Sequence, residues 1–162
     1  MKLSCIIVDD EPLSRTILKK FCEKCEMADV KASFDNAASA IEYLKNNQIE
    51  VVFLDVEMPG INGFQMMEYM PYRPKVVMIT SKTDYAFAAF EYNVTDFLKK
   101  PVDYNRFLTS FNKLKDLAEN QTDADDAEVV INCDGAYVRL RLDDVLYIEG
   151  MGDYVNYVTA EK

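Results

Sequence analysis

The feature that most constrains the fold is an apolar run, Val51-Val52-Phe53-Leu54, that leads directly into a carboxylate, Asp55. A continuous run of this kind, without polar alternation, is typical of a strand buried on both faces. An unpaired charge inside such a strand is costly, so we expect Asp55 at the carboxyl end, at the mouth of a sheet. On this stretch alone, an acidic residue in a solvated loop explains the pattern equally well.

Five apolar runs alternate with five stretches of helical periodicity over the first 118 residues. The runs predict strands at residues 3–8, 30–34, 51–55, 75–79 and 94–99, and Asp35 or Asn36 is the predicted N-cap of the second helix. Such alternation is typical of an α/β fold with a parallel sheet covered by helices on both faces. Because the carboxyl ends of parallel strands share one edge, we expect one crevice to contain Asp9, Asp10, Asp55, Thr80 and Lys100.

Length and charge limit the classes of function. A chain of 162 residues with 49% hydrophobic residues fits one domain, or one domain plus part of another. Residues 1–118 carry 15 Lys/Arg against 17 Asp/Glu, and residues 119–162 carry 3 against 11, so neither part has the basic surface of a nucleic-acid binder. No apolar run reaches membrane-spanning length, and residues 3–8 are too few for a signal-peptide core, so we expect a cytoplasmic protein.

The cysteines do not indicate a metal or redox site. Cys22 and Cys25 form one CxxC, but the sequence contains no second pair and no histidine. A structural zinc site usually needs four such ligands. The three-residue spacing is better explained by a buried or half-buried helix.

The expected crevice has the chemistry of a phosphoryl-transfer site. Three clustered carboxylates repel one another, and oxygen ligands of this kind suit Mg²⁺, which keeps waters and shares its shell with phosphate. Lys100 adds a positive charge, Thr80 adds a hydroxyl donor, and a carboxylate can act as a nucleophile that forms an acyl phosphate. No Ser-His-Asp type of triad, GxGxxG or Walker loop is present, which disfavours acyl transfer and nucleotide binding.

Separated motifs in a fixed order resemble a response-regulator receiver domain over residues 1–118. The motifs are Asp9-Asp10-Glu11-Pro12, the stretch from Leu54 to Gly63, Thr80, and Lys100-Pro101. The resemblance implies a flavodoxin-like, CheY-like fold with a five-stranded, doubly wound parallel sheet. It also implies that the domain is no enzyme beyond its own aspartyl phosphorylation and dephosphorylation.

The same resemblance implies a role for each carboxylate of the crevice. Asp55 is the expected phosphoacceptor. Asp10 and Asp55 are expected to ligate Mg²⁺ directly, with Asp9 placing a water and the backbone carbonyl of Glu57 completing the shell.

Three further residues match positions of the family pattern. Thr80 and Lys100 are expected to contact the phosphoryl group. Phe97 stands at the position of the family's switch aromatic, although a plain core phenylalanine in a strand would produce the same pattern.

The remainder of the chain changes character. Residues 119–128 are acidic and lack large apolar side chains, which indicates a linker. Residues 129–162 then predict a short, incomplete β-rich module: a hairpin of residues 129–133 and 136–140 around Asp134-Gly135, followed by strands at 143–149 and 154–159.

One stretch of this module, Val145 to Gly150 followed by Asp153-Tyr154-Val155, resembles the opening of a LytTR-type DNA-binding domain. The full domain of that family is much longer than 34 residues. The acidic balance of residues 119–162 agrees that a basic, base-contacting part is missing, so no DNA-contacting residue is identified.

We therefore expect a two-component response regulator, phosphorylated by a histidine kinase or a small acyl phosphate. Phosphorylation is expected to favour a homodimer through the face of the fourth helix, fifth strand and fifth helix. Promoter DNA is the expected target of a full-length parent, but not of this chain, and no membrane partner is expected.

Two alternatives remain. One is a phospho-switched interaction module without a DNA target. The other is a hydrolase with Asp55 as nucleophile, which lacks a second acid for general acid catalysis unless Asp9 or Asp10 serves.

Overall fold

The structure, a computed structural model, describes residues 2–120, 128–133, 136–141, 145–151 and 154–159. These residues form two compact units, Met1–Lys115 and Asp116–Lys162. Among the described residues, no helix is both long enough and apolar enough to cross a membrane.

Strands and helices alternate through the first unit, which confirms the predicted α/β fold. The elements are β1 (Leu3–Val8), α1 (Pro12–Cys25), β2 (Ala28–Phe34), α2 (Ala37–Asn46), β3 (Val51–Asp55), α3 (Gly63–Tyr69), β4 (Lys75–Thr80), α4 (Tyr85–Glu91), β5 (Asp96–Lys99) and α5 (Tyr104–Asn120). All five strands are parallel, in the order β2-β1-β3-β4-β5.

The central strand, β3, is buried along its whole length. Phe53 packs against Phe107 and Phe111 of α5, with ring centroids 5.4 and 6.3 Å apart. Val52 and Leu54 belong to the core cluster on the opposite face. Burial on both faces explains why this strand is uniformly apolar until its last residue.

The strand register aligns the polar residues at one edge of the sheet. Val8 is paired with Leu54, Asp55 with Ile79, and Thr80 with Lys99. Asp9 follows β1, Asp55 and Thr80 end β3 and β4, and Lys100 follows β5. These four residues are therefore neighbours at the carboxyl edge.

Local hydrogen bonds set the ends of the elements. The Asn36 side chain accepts a 2.8 Å bond from the Ser39 amide, so Asn36 rather than Asp35 is the N-cap of α2. The strand β5 begins at Asp96, two residues later than predicted. The Val94 amide instead donates to the carbonyl of Ala89 at the end of α4.

The CxxC pair lies in the last turns of α1. Cys5, Cys22 and Cys25 are free thiols, and Cys22 is buried. Contact with the Cys5 thiol, together with burial, raises the pKa of Cys22 far above its ordinary value, so this thiol stays protonated.

The second unit contains two antiparallel pairs, β6 (Glu128–Cys133) with β7 (Ala136–Arg141) and β8 (Val145–Met151) with β9 (Tyr154–Thr159). Cys133 pairs with Ala136, as the predicted two-residue hairpin requires. Residues 134–135, and residues 143–144 of the predicted third strand, lie outside the described residues. Of the predicted linker, residues 119–120 end α5, residue 128 begins β6, and residues 121–127 lie outside the described residues.

Candidate functional site

Three carboxylates meet at the carboxyl edge of the sheet. One oxygen atom each of Asp9, Asp10 and Asp55 lies within 4.8 Å of the others. Asp9 and Asp55 are only 1% and 4% exposed, whereas Asp10 is half-buried. Asp9 Oδ2 accepts no hydrogen bond from the residues that the structure describes. Clustered carboxylate oxygens of this kind fit a hard divalent cation such as Mg²⁺.

Lys100 supplies the positive charge beside these acids. Its Nζ lies 2.9 Å from Asp9 Oδ2 and 3.1 Å from Asp55 Oδ2. The contact with Asp9 is an ion pair whose angles lie outside those of a hydrogen bond. Burial opposes the charge of this lysine, but the two carboxylates outweigh it and raise its pKa. The ammonium is therefore permanently charged at neutral pH.

The ionisation of Asp55 reflects opposing influences. Burial raises the pKa of this carboxyl, Lys100 lowers it and Asp9 raises it again, and the pKa reaches about 6. The carboxyl is therefore mostly ionised at neutral pH, although it lies in a desolvated position. An ionised, poorly solvated carboxylate is suited to act as a nucleophile.

Two glycines shape the loop after Asp55. Gly60 has a φ of +81°, a left-handed conformation that side chains rarely adopt. A Cβ at Gly63 would collide with the carbonyl oxygen of Asp55 and lie 3.0 Å from the Cα of Val56. Instead, the Gly63 amide donates a 2.9 Å bond to the Val56 carbonyl and holds the start of α3 against the end of β3.

An ion pair joins the two loops that follow Asp55 and Thr80. Lys82 Nζ lies 2.6 Å from Glu57 Oε1, and both side chains are more than a third exposed. The Glu57 amide donates to Asp55 Oδ1 at 3.3 Å, and the Lys82 amide donates to Thr80 Oγ1 at 3.3 Å. Thr80 is fully buried at this edge.

Phe97 lies in β5, where it is partly buried against the core cluster. Its carbonyl accepts a 3.2 Å bond from Arg106 Nη2 of α5. This placement is compatible with a switch residue and with a plain core residue alike.

Side chains to which the sequence pattern assigned no role also contact the site. Glu11 Oε2 lies 3.2 Å from Lys100 Nζ, and Arg15 Nη1 donates a 2.6 Å bond to the carbonyl of Asp9. Glu11 is visible in the sequence as the third acid of the run after β1, but its contact with Lys100 is not. Arg15 and Lys82 gave no signal, because the direction of a long charged side chain depends on the folded neighbours.

The crevice opens beside an apolar patch. A cavity of about 370 Å³ is lined by residues from α1, β4 and the loop after β5, among them Leu13, Ile17, Lys100 and Pro101. Leu13 is 71% exposed. Exposed apolar side chains next to a polar site are typical of a surface that receives another molecule.

The comparisons with known proteins agree with this geometry. Residues 5–112 match the response regulator receiver domain family. The chain is 31% identical to the transcriptional regulatory protein BtsR of Salmonella typhimurium over 170 aligned positions, which cover 97% of this chain and 69% of the relative. It is 27% identical to the sensory transduction protein LytT of Bacillus anthracis, over 90% of this chain and 65% of that protein.

Solved structures resemble the first unit. The response regulatory domain of mrkE from Klebsiella pneumoniae superposes with a TM-score of 0.68 at 27% identity, over 74% of this chain and all of that domain. The REC domain of AraT from Geobacillus stearothermophilus gives a TM-score of 0.65 at 25% identity, over 75% of this chain and 99% of that one.

Proposed function

The chain belongs to the response regulators of two-component systems, and we propose that Asp55 is the residue of its receiver domain that accepts the phosphoryl group. The observation that carries this proposal is the position of Asp55. It is an almost fully buried carboxylate between Asp9 and Lys100, at the open edge of the sheet. Asp9 and Asp10 follow β1, which is not adjacent to β4, whereas Asp55 ends β3, the direct neighbour of the strand that ends at Thr80.

In the proposed reaction, an Asp55 oxygen attacks the phosphorus of a phosphohistidine on a sensor kinase, or of a small acyl phosphate. A new P–O bond forms, the bond from phosphorus to the donor's nitrogen or oxygen breaks, and the leaving group keeps the electron pair. Lys100 places its ammonium beside the phosphoryl oxygens, and the Thr80 hydroxyl donates a hydrogen bond to one of them. Hydrolysis of the acyl phosphate by water returns Asp55 to its free form.

We also propose that the three carboxylates hold Mg²⁺. Asp10 and Asp55 would bind it directly, Asp9 would hold a water of its shell, and the Glu57 carbonyl would complete the set. When bound, Mg²⁺ offsets the negative charge of the carboxylates and of the transferring group. The convergence of three carboxylates, two of them almost fully buried, supports this proposal, since the single charge of Lys100 cannot balance them.

For the output, we propose that Thr80 and Phe97 couple phosphorylation to dimerisation through the face of α4, β5 and α5. The second unit is proposed to be part of a LytTR-type DNA-binding module, because its sequence resembles the opening of that domain and a relative aligned over 97% of this chain is named as a transcriptional regulatory protein. A sensor histidine kinase is the proposed donor, and the cytoplasm the proposed location.

The test is the intact mass of the chain after incubation with Mg²⁺ and acetyl phosphate. We expect a gain of one phosphoryl group that disappears when a chelator removes Mg²⁺. Asp55→Asn keeps the shape of the side chain and should abolish the gain, whereas Asp29→Asn, at an exposed ion pair of β2, should label normally. Labelling of Asp55→Asn at the wild-type rate would refute the assignment.

A further inference from the structure

Among the residues that the structure describes, Lys100 has three carboxylate partners, and two of them belong to the cluster suited to a metal ion. Asp9 and Asp55 are members of that cluster. The third partner is Glu11, whose Oε2 lies 3.2 Å from Lys100 Nζ. Glu11 is 62% exposed, whereas Lys100 is 16% exposed, so the glutamate covers the ammonium from the solvent side.

Glu11 is held in this position by further contacts. The Ser14 hydroxyl donates a 2.9 Å bond to the same Oε2 atom, and the Glu11 amide donates a 2.8 Å bond to Asp9 Oδ1. Backbone and side chain together place a fixed negative charge at the mouth of the crevice.

The Glu11 carboxylate and a phosphoryl group on Asp55 would both pair with the ammonium of Lys100. A phosphoryl group on Asp55 carries more negative charge than a carboxylate and offers three acceptor oxygens. Lys100 cannot be fully available to it while paired with Glu11. The two anions would also repel each other, because Lys100 contacts both Glu11 and Asp55 within about one hydrogen-bond length.

We propose that Glu11 is a positioning residue that competes with the phosphoryl group for Lys100 and thereby restrains phosphorylation of Asp55. In the unphosphorylated chain, Glu11 keeps the ammonium at the mouth of the site. On phosphorylation, Lys100 turns to the phosphoryl oxygens and Glu11 loses its partner. The inference rests on the proposed function of Asp55.

The competition predicts both the sign and the conditions of the effect. Neutralising Glu11 should speed labelling by about two- to fivefold, the worth of an exposed ion pair. The gain should be larger with acetyl phosphate than with phosphoramidate, which carries less negative charge at neutral pH. It should also shrink as salt screens exposed charges.

The experiment compares the wild-type chain with Glu11→Gln at saturating Mg²⁺. Labelling rates are measured with acetyl phosphate and with phosphoramidate, and the affinity for beryllium fluoride, an unreactive phosphoryl mimic, is measured at equilibrium. The matched control is Glu42→Gln, which removes the same charge from an exposed ion pair with Lys45 on α2. Ser14→Ala, which keeps every charge but releases Glu11, should give a smaller gain of the same sign.

Faster labelling and tighter beryllium fluoride binding in Glu11→Gln, with Glu42→Gln unchanged, support the competition. Unchanged or slower labelling in Glu11→Gln, while the wild-type chain labels normally, overturns this inference alone. A wild-type chain that never gains phosphoryl mass refutes the proposed function and this inference with it.

Discussion

Thr80 uses both of its oxygen atoms at the end of β4. Its hydroxyl accepts a bond from the Lys82 amide, and its carbonyl accepts a 2.8 Å bond from the Lys100 amide. The residue is fully buried, so its hydroxyl hydrogen points into the protein or into the crevice rather than into bulk water. A phosphoryl group in the crevice would therefore offer this hydrogen a new, negatively charged acceptor.

Loss of the Thr80 hydroxyl should leave phosphorylation of Asp55 intact but weaken the change in dimerisation that follows it. A ligand shifts an equilibrium only by its differential affinity for the two states, and this hydrogen bond is one such difference. We expect Thr80→Val to label with acetyl phosphate but to show a weaker phosphorylation-linked change in dimerisation by sedimentation. Thr80→Ser, which keeps the hydroxyl, should respond more nearly like the wild type. An undiminished shift in Thr80→Val would contradict the coupling.

The site residues at strand ends could be predicted from the sequence, but the contacts of the charged side chains at the mouth of the crevice could not. Asp9, Asp55 and Lys100 end or follow apolar runs, and the parallel sheet alone brings them together. Glu11 and Lys82 reach the site through flexible side chains on loops. Their partners depend on the distance between two loops, which no local pattern encodes.

At the scale of elements, the two glycines after β3 serve different purposes. Gly60 provides a left-handed turn with open space around it, whereas Gly63 allows α3 to start directly against the backbone of Asp55. Pro59-Gly60 is a typical turn sequence, so a bend of the chain after β3 can be predicted from the sequence. The sequence does not indicate the close approach, because that depends on where α3 packs.

Alanine at these two positions should therefore have different effects. Gly60→Ala should cost about 1 kcal/mol of unfolding free energy through its backbone conformation, with little effect on labelling. Gly63→Ala should cost about 2 kcal/mol and also slow labelling by about tenfold, because the displaced loop carries Asp55 out of line. Urea unfolding and intact-mass kinetics measure the two quantities. Equal labelling rates in both variants would show that the close approach does not position Asp55.

Another contact between elements joins β5 to α5. Arg106 donates 2.7 Å bonds to both carboxylate oxygens of Asp96. Burial alone would raise the pKa of Asp96, but the Arg106 bonds and the Phe97 amide outweigh it, and the pKa lies below the ordinary 3.8. A carboxyl whose pKa is lowered by folding stabilises the native state above its unfolded pKa.

The stability that Asp96 contributes should depend on pH in a defined way. It is fully present at neutral pH and is lost as the pH falls from 3.8 through the lower native pKa. Asp96→Asn should reduce the free energy of unfolding by about 1 kcal/mol at neutral pH, because Arg106 is 45% exposed and solvent weakens the pair. The difference from wild type in urea unfolding should narrow below about pH 4. If the difference in unfolding free energy between wild type and Asp96→Asn did not change with pH, the charge of Asp96 would not be the source of its stabilising effect.

At the scale of the whole molecule, the sequence changes in charge after residue 118. The first 118 residues are nearly balanced, but residues 119–162 have only Arg139, Arg141 and Lys162 against eleven acids. Composition and strand alternation were enough to predict a change of architecture near this point. Composition and strand alternation do not predict what the β-hairpins bind, because recognition depends on the side chains that a folded surface presents together.

We expect the 162-residue chain to bind DNA without useful sequence preference. Each phosphate contact needs a positive or hydrogen-bonding group, and base readout needs a rigid element in a groove. Fluorescence anisotropy of the phosphorylated chain, with the duplex upstream of its own gene and a scrambled duplex at near-physiological salt, measures this. Submicromolar, selective binding would show that the chain already contains the reading surface, and that dimerisation combines two measurable sites.

Lys100 also matters before any signal arrives, when a newly synthesised chain first folds. Asp9 and Asp55 are almost completely buried, and two like charges without a partner would oppose closing β1 against β3. The ammonium arrives with β5 and neutralises part of that charge as the sheet closes. The chain thus supplies, from its own sequence, a cation that accompanies these two carboxylates into the protein interior.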